Sequence, residues 1–313
     1  MSRAFVFPGQ GSQAVGMGKA LAERSAAARA VFDTVDDALG ESLSGLMFEG
    51  DADTLTLTEN AQPALMAVSM AALAVLEETA GRELRDLAAF VAGHSLGEYT
   101  ALAAARSIDV ADAARLLRRR GLAMQRAVPV GEGAMAALLG LDLEVAEAVA
   151  AEAAGDGVCT AANDNGPGQV VVSGDRAAVE RAVAIAAEKG ARRSRLLPVS
   201  APFHCSLMAP AAEEMAEALG EVAIAAPAVP LVANVTAEPV SDSATIRRLL
   251  VEQVTGRVRW RESVLAMRGQ GVDLLVELGA GKVLSGLAKR IDAGLAGVPL
   301  QTPEDIDAFV ATL

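Results

Sequence analysis

The stretch Phe90 to Ala104, FVAGHSLGEYTALAA, constrains this chain more than any other. An apolar run, Leu87 to Ala92, meets the turn Gly93-His94-Ser95-Leu96-Gly97 and then a run of helix formers, so Ser95 falls where a buried strand bends into a helix. The pattern is G-x-S-x-G, a strand-turn-helix that raises a serine at the edge of a sheet. Each glycine has a mechanical reason. In so tight a turn, side chains two positions before and after the serine would run into the opposite backbone, and glycine has none. The hydroxyl also meets the positive end of the following helix, which favours the negative charge that develops during acyl transfer. The plainer alternative is a glycine-rich turn whose serine only caps a helix.

Ala4 to Phe7 reads as a short buried strand, followed by Pro8-Gly9-Gln10-Gly11-Ser12-Gln13 and a helical stretch from Gly18 to Leu39. Gly9, Gly11 and Ala14 fit a dinucleotide-binding pattern, but that unit needs an acidic residue ending a second strand about 20 positions on. Here that distance lands at Val31-Phe32-Asp33, inside a helical pattern. A loop of this kind is better suited to aiming backbone N–H groups across a cleft. Asn60 to Thr79 is an Ala/Met/Leu helix, apolar nearly all round and therefore buried. From Asp109 to Ala127 a helix carries Arg115, Arg118, Arg119, Arg120 and Arg126. Ala113, Leu116, Leu117, Arg120 and Met124 recur at the spacing of a core-facing stripe, so Arg120 alone points inward. A buried arginine needs a carboxylate. That partner is either a structural Asp or Glu or the carboxylate of a substrate, which the guanidinium fork grips with two parallel bonds.

After Pro129 the pattern changes. Gly133 to Leu141, Val158 to Asn163, Gln169 to Ser173 and Arg192 to Val199 read as strands, with helices Asp142 to Ala154 and Asp175 to Lys189. This β-α-β-β-α-β order is ferredoxin-like. Residues 127–200 are therefore expected to form a small inserted subdomain, 1–126 and 201–313 the large domain, with a cleft between them. Helices are expected at Ser241 to Glu252 and Trp260 to Gln270, and a strand at Leu274 to Leu278. Gly279-Ala280-Gly281-Lys282 is not a phosphate loop, because Val276 and Val283 stand where that motif needs Gly and Ser or Thr.

A serine hydroxyl is a weak nucleophile without a neighbouring base. The chain has two histidines. His94 projects away from its neighbour Ser95, so by elimination the base is His204, in the turn Pro202-Phe203-His204. No acid stands out as its orienter, and a dyad fits better than a triad. Cys159 and Cys205 lie 46 positions apart, with no metal-ligand spacing. The net charge of −13 argues against nucleic-acid binding. No signal-peptide core and no run of about 18 apolar residues is visible, so a cytoplasmic, membrane-free setting is expected.

Gly9-Gln10-Gly11-Ser12-Gln13, Gly93-His94-Ser95-Leu96-Gly97-Glu98, Arg120-Gly121 with Met124-Gln125, and Pro202-Phe203-His204 together resemble the malonyl-CoA:acyl carrier protein transacylases of fatty acid synthesis. The resemblance covers nearly the whole chain. It implies an α/β-hydrolase-like large domain with a parallel sheet and an inserted ferredoxin-like small subdomain. It further implies Ser95 as the nucleophile, His204 as base and then acid, and the backbone N–H groups of Gln10 and Leu96 as oxyanion hole. Arg120 would clamp the malonyl carboxylate, and the main-chain carbonyl of Gln253 would orient the histidine, which accounts for the missing acid. Asn163 and Asn165 match a cleft-lining segment. Phe203 is similar to the residue that fills the space of an α-methyl group and so accompanies malonyl over methylmalonyl. Ala280 departs from the family, whose members often have Pro there. The implied partners are malonyl-CoA and the phosphopantetheine arm of acyl carrier protein, with no metal or redox cofactor, on a monomer. The rival readings are a serine thioesterase or hydrolase, a non-catalytic carrier-binding module, and a free-standing acyltransferase of a polyketide synthase. An acidic carrier needs a basic surface, offered either by Lys189, Arg192, Arg193 and Arg195 or by Lys282, Lys289 and Arg290.

Overall fold

The computed structural model describes residues 1–313 and contains ten strands: β1 (Ser2–Phe7), β2 (Phe90–Gly93), β3 (Gly133–Leu139), β4 (Cys159–Gly166), β5 (Gln169–Asp175), β6 (Arg193–Leu196), β7 (Leu231–Val232), β8 (Pro239–Val240), β9 (Val272–Leu278) and β10 (Ala296–Leu300). Six of them form one sheet in the order β10-β9-β1-β2-β7-β8, parallel except for the pairing of β8 with β7. Along β1, Ala4 and Val6 join Phe90, Ala92, Trp260 and Val264 on one face, while Phe5 and Phe7 join the larger core on the other. The period of two thus serves two buried faces, as a parallel sheet covered on both sides requires.

The helix Thr58–Ala80 runs through the larger core between helices Ala26–Leu39 and Val110–Ala127. By length and composition it is apolar enough to cross a membrane, although polar residues such as Gln62 and Ser69 interrupt it, and most of it is buried inside the protein. It crosses Val110–Ala127 at Gly121, where a Cβ would lie 2.5 Å from the Cα of Glu59. Only glycine allows that approach, and it sets Arg120 against Gln62.

β3 to β6 form a second, antiparallel sheet in the order β4-β5-β3-β6. Helices Leu143–Ala154 and Arg176–Glu188 pack on it around their own core, which includes Leu138, Val149, Val172 and Val179. This is the ferredoxin-like order, carried between helix Val110–Ala127 and the Pro202 turn. The segment 256–261 ties the two units together. Asn163 bridges to Val258, the Arg257 Nε donates to Ala161 O at 3.0 Å, and Arg261 pairs with the buried Asp164 at 2.8 Å.

Some expected boundaries move. The stretch from Gly18 to Leu39 is two helices, Lys19–Arg24 and Ala26–Leu39, because Ser25 turns extended (φ −137°) and its hydroxyl caps the second by accepting from Ala27 and Ala28 N–H. The helix expected to end at Glu252 runs Ser243–Thr255, which puts Gln253 in its last turn. The strands β7 and β8 are too short to show a period. β10, AGVPL, is an edge strand whose Gly and Pro mask its pairing.

Candidate active site

In the register of β1 with β2, Phe7 lies opposite Gly93, so the loops after both strands leave the same carboxyl edge of the sheet, where α/β folds place their sites. Ser95 sits there at φ 54°, a left-handed conformation uncommon for serine. A Cβ on Gly93 would lie 1.9 Å from the carbonyl carbon of Gly97, and one on Gly97 2.2 Å from Phe7 O. The steric reason for both glycines therefore holds. The strained turn is braced from the turn after β7: Asn234 Oδ1 accepts from Ser95 N–H at 2.8 Å and its Nδ2 donates to Gly93 O at 2.6 Å. The backbone N–H groups of Gln10 and Leu96 donate to nothing within the protein. Gln10 is held instead by its side chain, whose Oε1 accepts from the Thr58 hydroxyl at 3.1 Å.

His204 also lies at positive φ, 59°, and its Nε2 is 2.8 Å from Ser95 Oγ. Its Nδ1 faces two carbonyls, Gln253 O at 2.9 Å and Gly256 O at 3.1 Å. A carbonyl only accepts, so Nδ1 carries the proton and Nε2 presents its lone pair to the serine. Gln253 O can serve because the last carbonyls of a helix have no helical partner. A helix end thus stands where an acid would in a triad. Burial first, then the charge of Arg120, depresses His204 to about 3, so the ring is neutral and able to accept a proton.

Arg120 is 1% exposed. Its Nη1 donates to Gln62 Oε1 at 2.7 Å, and Nη2 donates to Gln253 Oε1 at 2.9 Å and to Ser95 Oγ at 3.1 Å. These three bonds all go to neutral oxygens, and the guanidinium lies over the Tyr99 ring, 5.6 Å from its centroid. Two of its five N–H donors remain unused. Of the two partners the sequence left open, a structural carboxylate is absent from the fork. Glu98 reaches it only through the Gln253 amide, whose Nε2 donates to Glu98 Oε2 at 2.8 Å and to Ser95 O at 2.9 Å. Burial raises Glu98 to about 7, opposed by its hydrogen bonds from Gln253 and Asn234 and by the charge of Arg120.

The remaining candidates lie around this centre. Asn165 Oδ1 is 2.8 Å from Nε2 of His94, whose ring packs 6.0 Å from Trp260, so His94 is engaged away from the serine hydroxyl. Asn163 is buried and bridges to Val258 through its backbone. Phe203 is packed into the larger core. Gln62, Glu98 and Asn234 escaped the sequence reading. The available signal was a glutamine next to the apolar stretch of helix Thr58–Ala80 and an asparagine closing the apolar run Leu231-Val232-Ala233. A cavity of about 590 Å³ lies away from Ser95, where Arg192 and Arg193 at the start of β6 meet Arg290 of helix Val283–Ile291. Its lining takes two residues from one basic cluster that the sequence offered and one, Arg290, from the other.

Residues 4–290 match the model of the acyl transferase domain family. A malonyl CoA-acyl carrier protein transacylase of Bacillus subtilis is 46% identical over 99% of this chain and 96% of its own length. The crystal structure of an acyl-carrier-protein S-malonyltransferase from Bartonella henselae superposes with a TM-score of 0.97 at 56% identity, covering 100% of this chain and 99% of that one. A malonyl-transacylase solved in complex with a type II polyketide synthase acyl-carrier protein matches at a TM-score of 0.96 and 40% identity, over the whole of both chains. With the elbow, the histidine on a helix-end carbonyl and the buried arginine in one constellation, the chain belongs to the acyl transferase domain family, among its malonyl CoA-acyl carrier protein transacylases.

Proposed function

We propose that this protein transfers the malonyl group of malonyl-CoA to the phosphopantetheine thiol of an acyl carrier protein, through a malonyl ester on Ser95. The observation that carries this reading is the buried, carboxylate-free Arg120 fork 3.1 Å from the Ser95 hydroxyl. An acyl group attached to Ser95 that ends in a free carboxylate supplies the missing charge; an acetyl group does not.

His204 takes the Ser95 proton as the hydroxyl oxygen attacks the thioester carbonyl. The free N–H groups of Gln10 and Leu96 meet the developing oxyanion, each worth about 3–4 kcal/mol to the transition state. The imidazolium, held by the carbonyls of Gln253 and Gly256, protonates the departing CoA thiolate. The carrier's thiol then gives its proton to His204 and its sulfur attacks the ester carbonyl; as the ester C–O bond breaks, His204 returns the proton to Ser95 Oγ and the malonyl thioester leaves. Arg120 also acts on the base. Its positive charge is the second-largest cause of His204's low basicity, so a substrate carboxylate that neutralises it strengthens the base only when a diacid is bound. Phe203 and Asn165 are assigned to the walls of the acyl and pantetheine path. The enzyme works as a cytoplasmic monomer, without a metal or redox cofactor, and in fatty acid synthesis.

The carrier docks at the groove of Arg192, Arg193 and Arg290. Arg192 and Arg193 of one basic cluster meet Arg290 of the other there, whereas Lys189 is paired with Glu152. Charge reversal at Arg193 and Arg290 should raise the KM for carrier and leave acylation by malonyl-CoA intact; an unchanged carrier KM removes this surface.

The central test is intact-protein mass spectrometry after brief mixing with malonyl-CoA or acetyl-CoA. A malonyl adduct that is lost in Ser95→Ala, exceeds acetyl in the wild type and loses that preference in Arg120→Ala is expected. Free malonate accumulating without an adduct would move the protein to the hydrolase reading.

A further inference from the structure

An amide side chain has two ends of nearly equal size, and only its partners decide which way it points. That of Gln253 stands between the nucleophile and the arginine. Its Nε2 faces two acceptors, Glu98 Oε2 at 2.8 Å and Ser95 O at 2.9 Å, and its Oε1 faces a donor, Arg120 Nη2, at 2.9 Å. Ser95 O already accepts from Glu98 N–H at 3.0 Å, so the stronger of the two acceptors is the carboxylate. Glu98 is itself held: it is 1% exposed, and its Oε2 also accepts from the backbone N–H of Asn234, the residue that braces the elbow.

We infer that Glu98 is a positioning residue for acyl transfer: as an ionised, acceptor-only group it fixes the Gln253 amide with its oxygen toward Arg120, and thereby aims the guanidinium at the substrate carboxylate. The inference deepens the proposed function and rests on Arg120 being the clamp. The chemistry of the alternative orientation explains why a carboxylate stands here. A protonated acid or an amide at position 98 offers a donor to Gln253. The amide can then turn over, and its N–H groups meet those of Arg120, donor against donor. The fork loses the oxygen that holds Nη2 beside Ser95. Because the main chain of the same Gln253 carries His204, the disturbance is confined by that second anchor to the side chain. Acyl groups that do not use Arg120 are therefore spared.

The test is kcat/KM for acylation of Ser95 by malonyl-CoA and by acetyl-CoA, in the wild type and in Glu98→Gln. The malonyl-to-acetyl ratio is expected to fall about tenfold, mostly through KM for malonyl-CoA, with acetyl transfer changed less than threefold. Equal losses on both substrates would mean that Glu98 only supports the fold, and an increased ratio would mean that its charge merely repels the substrate; either result overturns the inference. If Glu98→Gln does not fold, the wild type alone decides. The charged and titratable groups that bear on Glu98 are Arg120, a guanidinium that stays cationic, and Tyr99, whose phenol burial pushes up to about 12. The CoA moiety is common to the two substrates. Across the pH range in which the infrared carboxyl band of Glu98 shows it taking up its proton, a ratio that falls severalfold supports the inference, and a flat ratio sinks it. A wild type with no malonyl preference, or one whose preference survives Arg120→Ala, would instead remove the clamp reading itself.

Discussion

The elbow and the arginine fork touch at 3.1 Å, yet they are held by opposite means. The elbow is fixed by hard contacts within five consecutive residues and the strand beside them, where no atom can be added. The fork is fixed by the hydrogen bonds it donates to amide oxygens that arrive from helix Thr58–Ala80 and helix Ser243–Thr255, and its charge is left unmet. One region is rigid because its backbone has nowhere to go. The other stores an unsatisfied demand that a substrate can answer, at a cost to the resting protein.

The comparison breaks most visibly at the glycines. Gly93→Ala puts a Cβ 1.9 Å from backbone and should cost more than about 4 kcal/mol, enough to unfold the protein or empty the elbow. Gly286→Ala, on helix Val283–Ile291 with nothing within 4 Å of its Cβ, should be neutral or stabilising by up to about 1 kcal/mol. Denaturant unfolding of both variants decides; similar effects would sink the steric account.

Arg120→Met asks the opposite question of the fork. Removing an unpaired buried charge is favourable, while leaving Gln62 Oε1 and Gln253 Oε1 without their donor costs about 1–3 kcal/mol, so stability should stay within about 2 kcal/mol of wild type. Malonyl transfer should fall by roughly 10²–10³, or about 3–4 kcal/mol of transition-state binding. Loss of stability and activity in parallel would show that Arg120 is structural after all.

The same difference governs what the sequence discloses. The elbow is local, so its glycines, its strand and its helix are written in one run of residues. The inward turn of Arg120 was legible from helical phase, and His204 from a count of histidines. The helix-end carbonyl that replaces an acid became nameable only through resemblance, since a main-chain oxygen leaves no mark in a sequence. Gln62, Glu98 and Asn234 act through partners 58, 155 and 139 positions away, and no local pattern specifies such pairings. The subdomain strands were legible because each runs for at least four residues between turns and helices, whereas β7 and β8 have two residues each.

Asn234 lies beneath both regions and should show an intermediate effect. Asn234→Ala leaves the buried Ser95 N–H and Gly93 C=O without their partner, at about 1–3 kcal/mol. Because that loss bears on the elbow more than on the fork, acylation by malonyl-CoA and acetyl-CoA should slow together. A selective loss of malonyl transfer would place Asn234 with the fork instead.

The smallest effect sharpens the comparison from the side of charge. Burial raises Glu98 from 4.5 in the unfolded chain to about 7 in the fold, so between those values the native state holds the extra proton. Its contribution to stability is then fully present below pH 4.5 and is lost as pH rises through 7. His204 runs the other way: with its folded value lowered to about 3, its contribution is lost as pH falls below 6.5. Subtracting Glu98→Gln from wild type cancels the histidine and isolates the carboxylate. Relative to that variant, the wild type should lose about 1 kcal/mol between pH 6 and pH 8, read from urea midpoints at each pH. A difference that does not change across this range would mean that Glu98 is ionised throughout, its charge fully met by Arg120 through the Gln253 amide, and the fork would then be a relayed ion pair rather than an unmet charge.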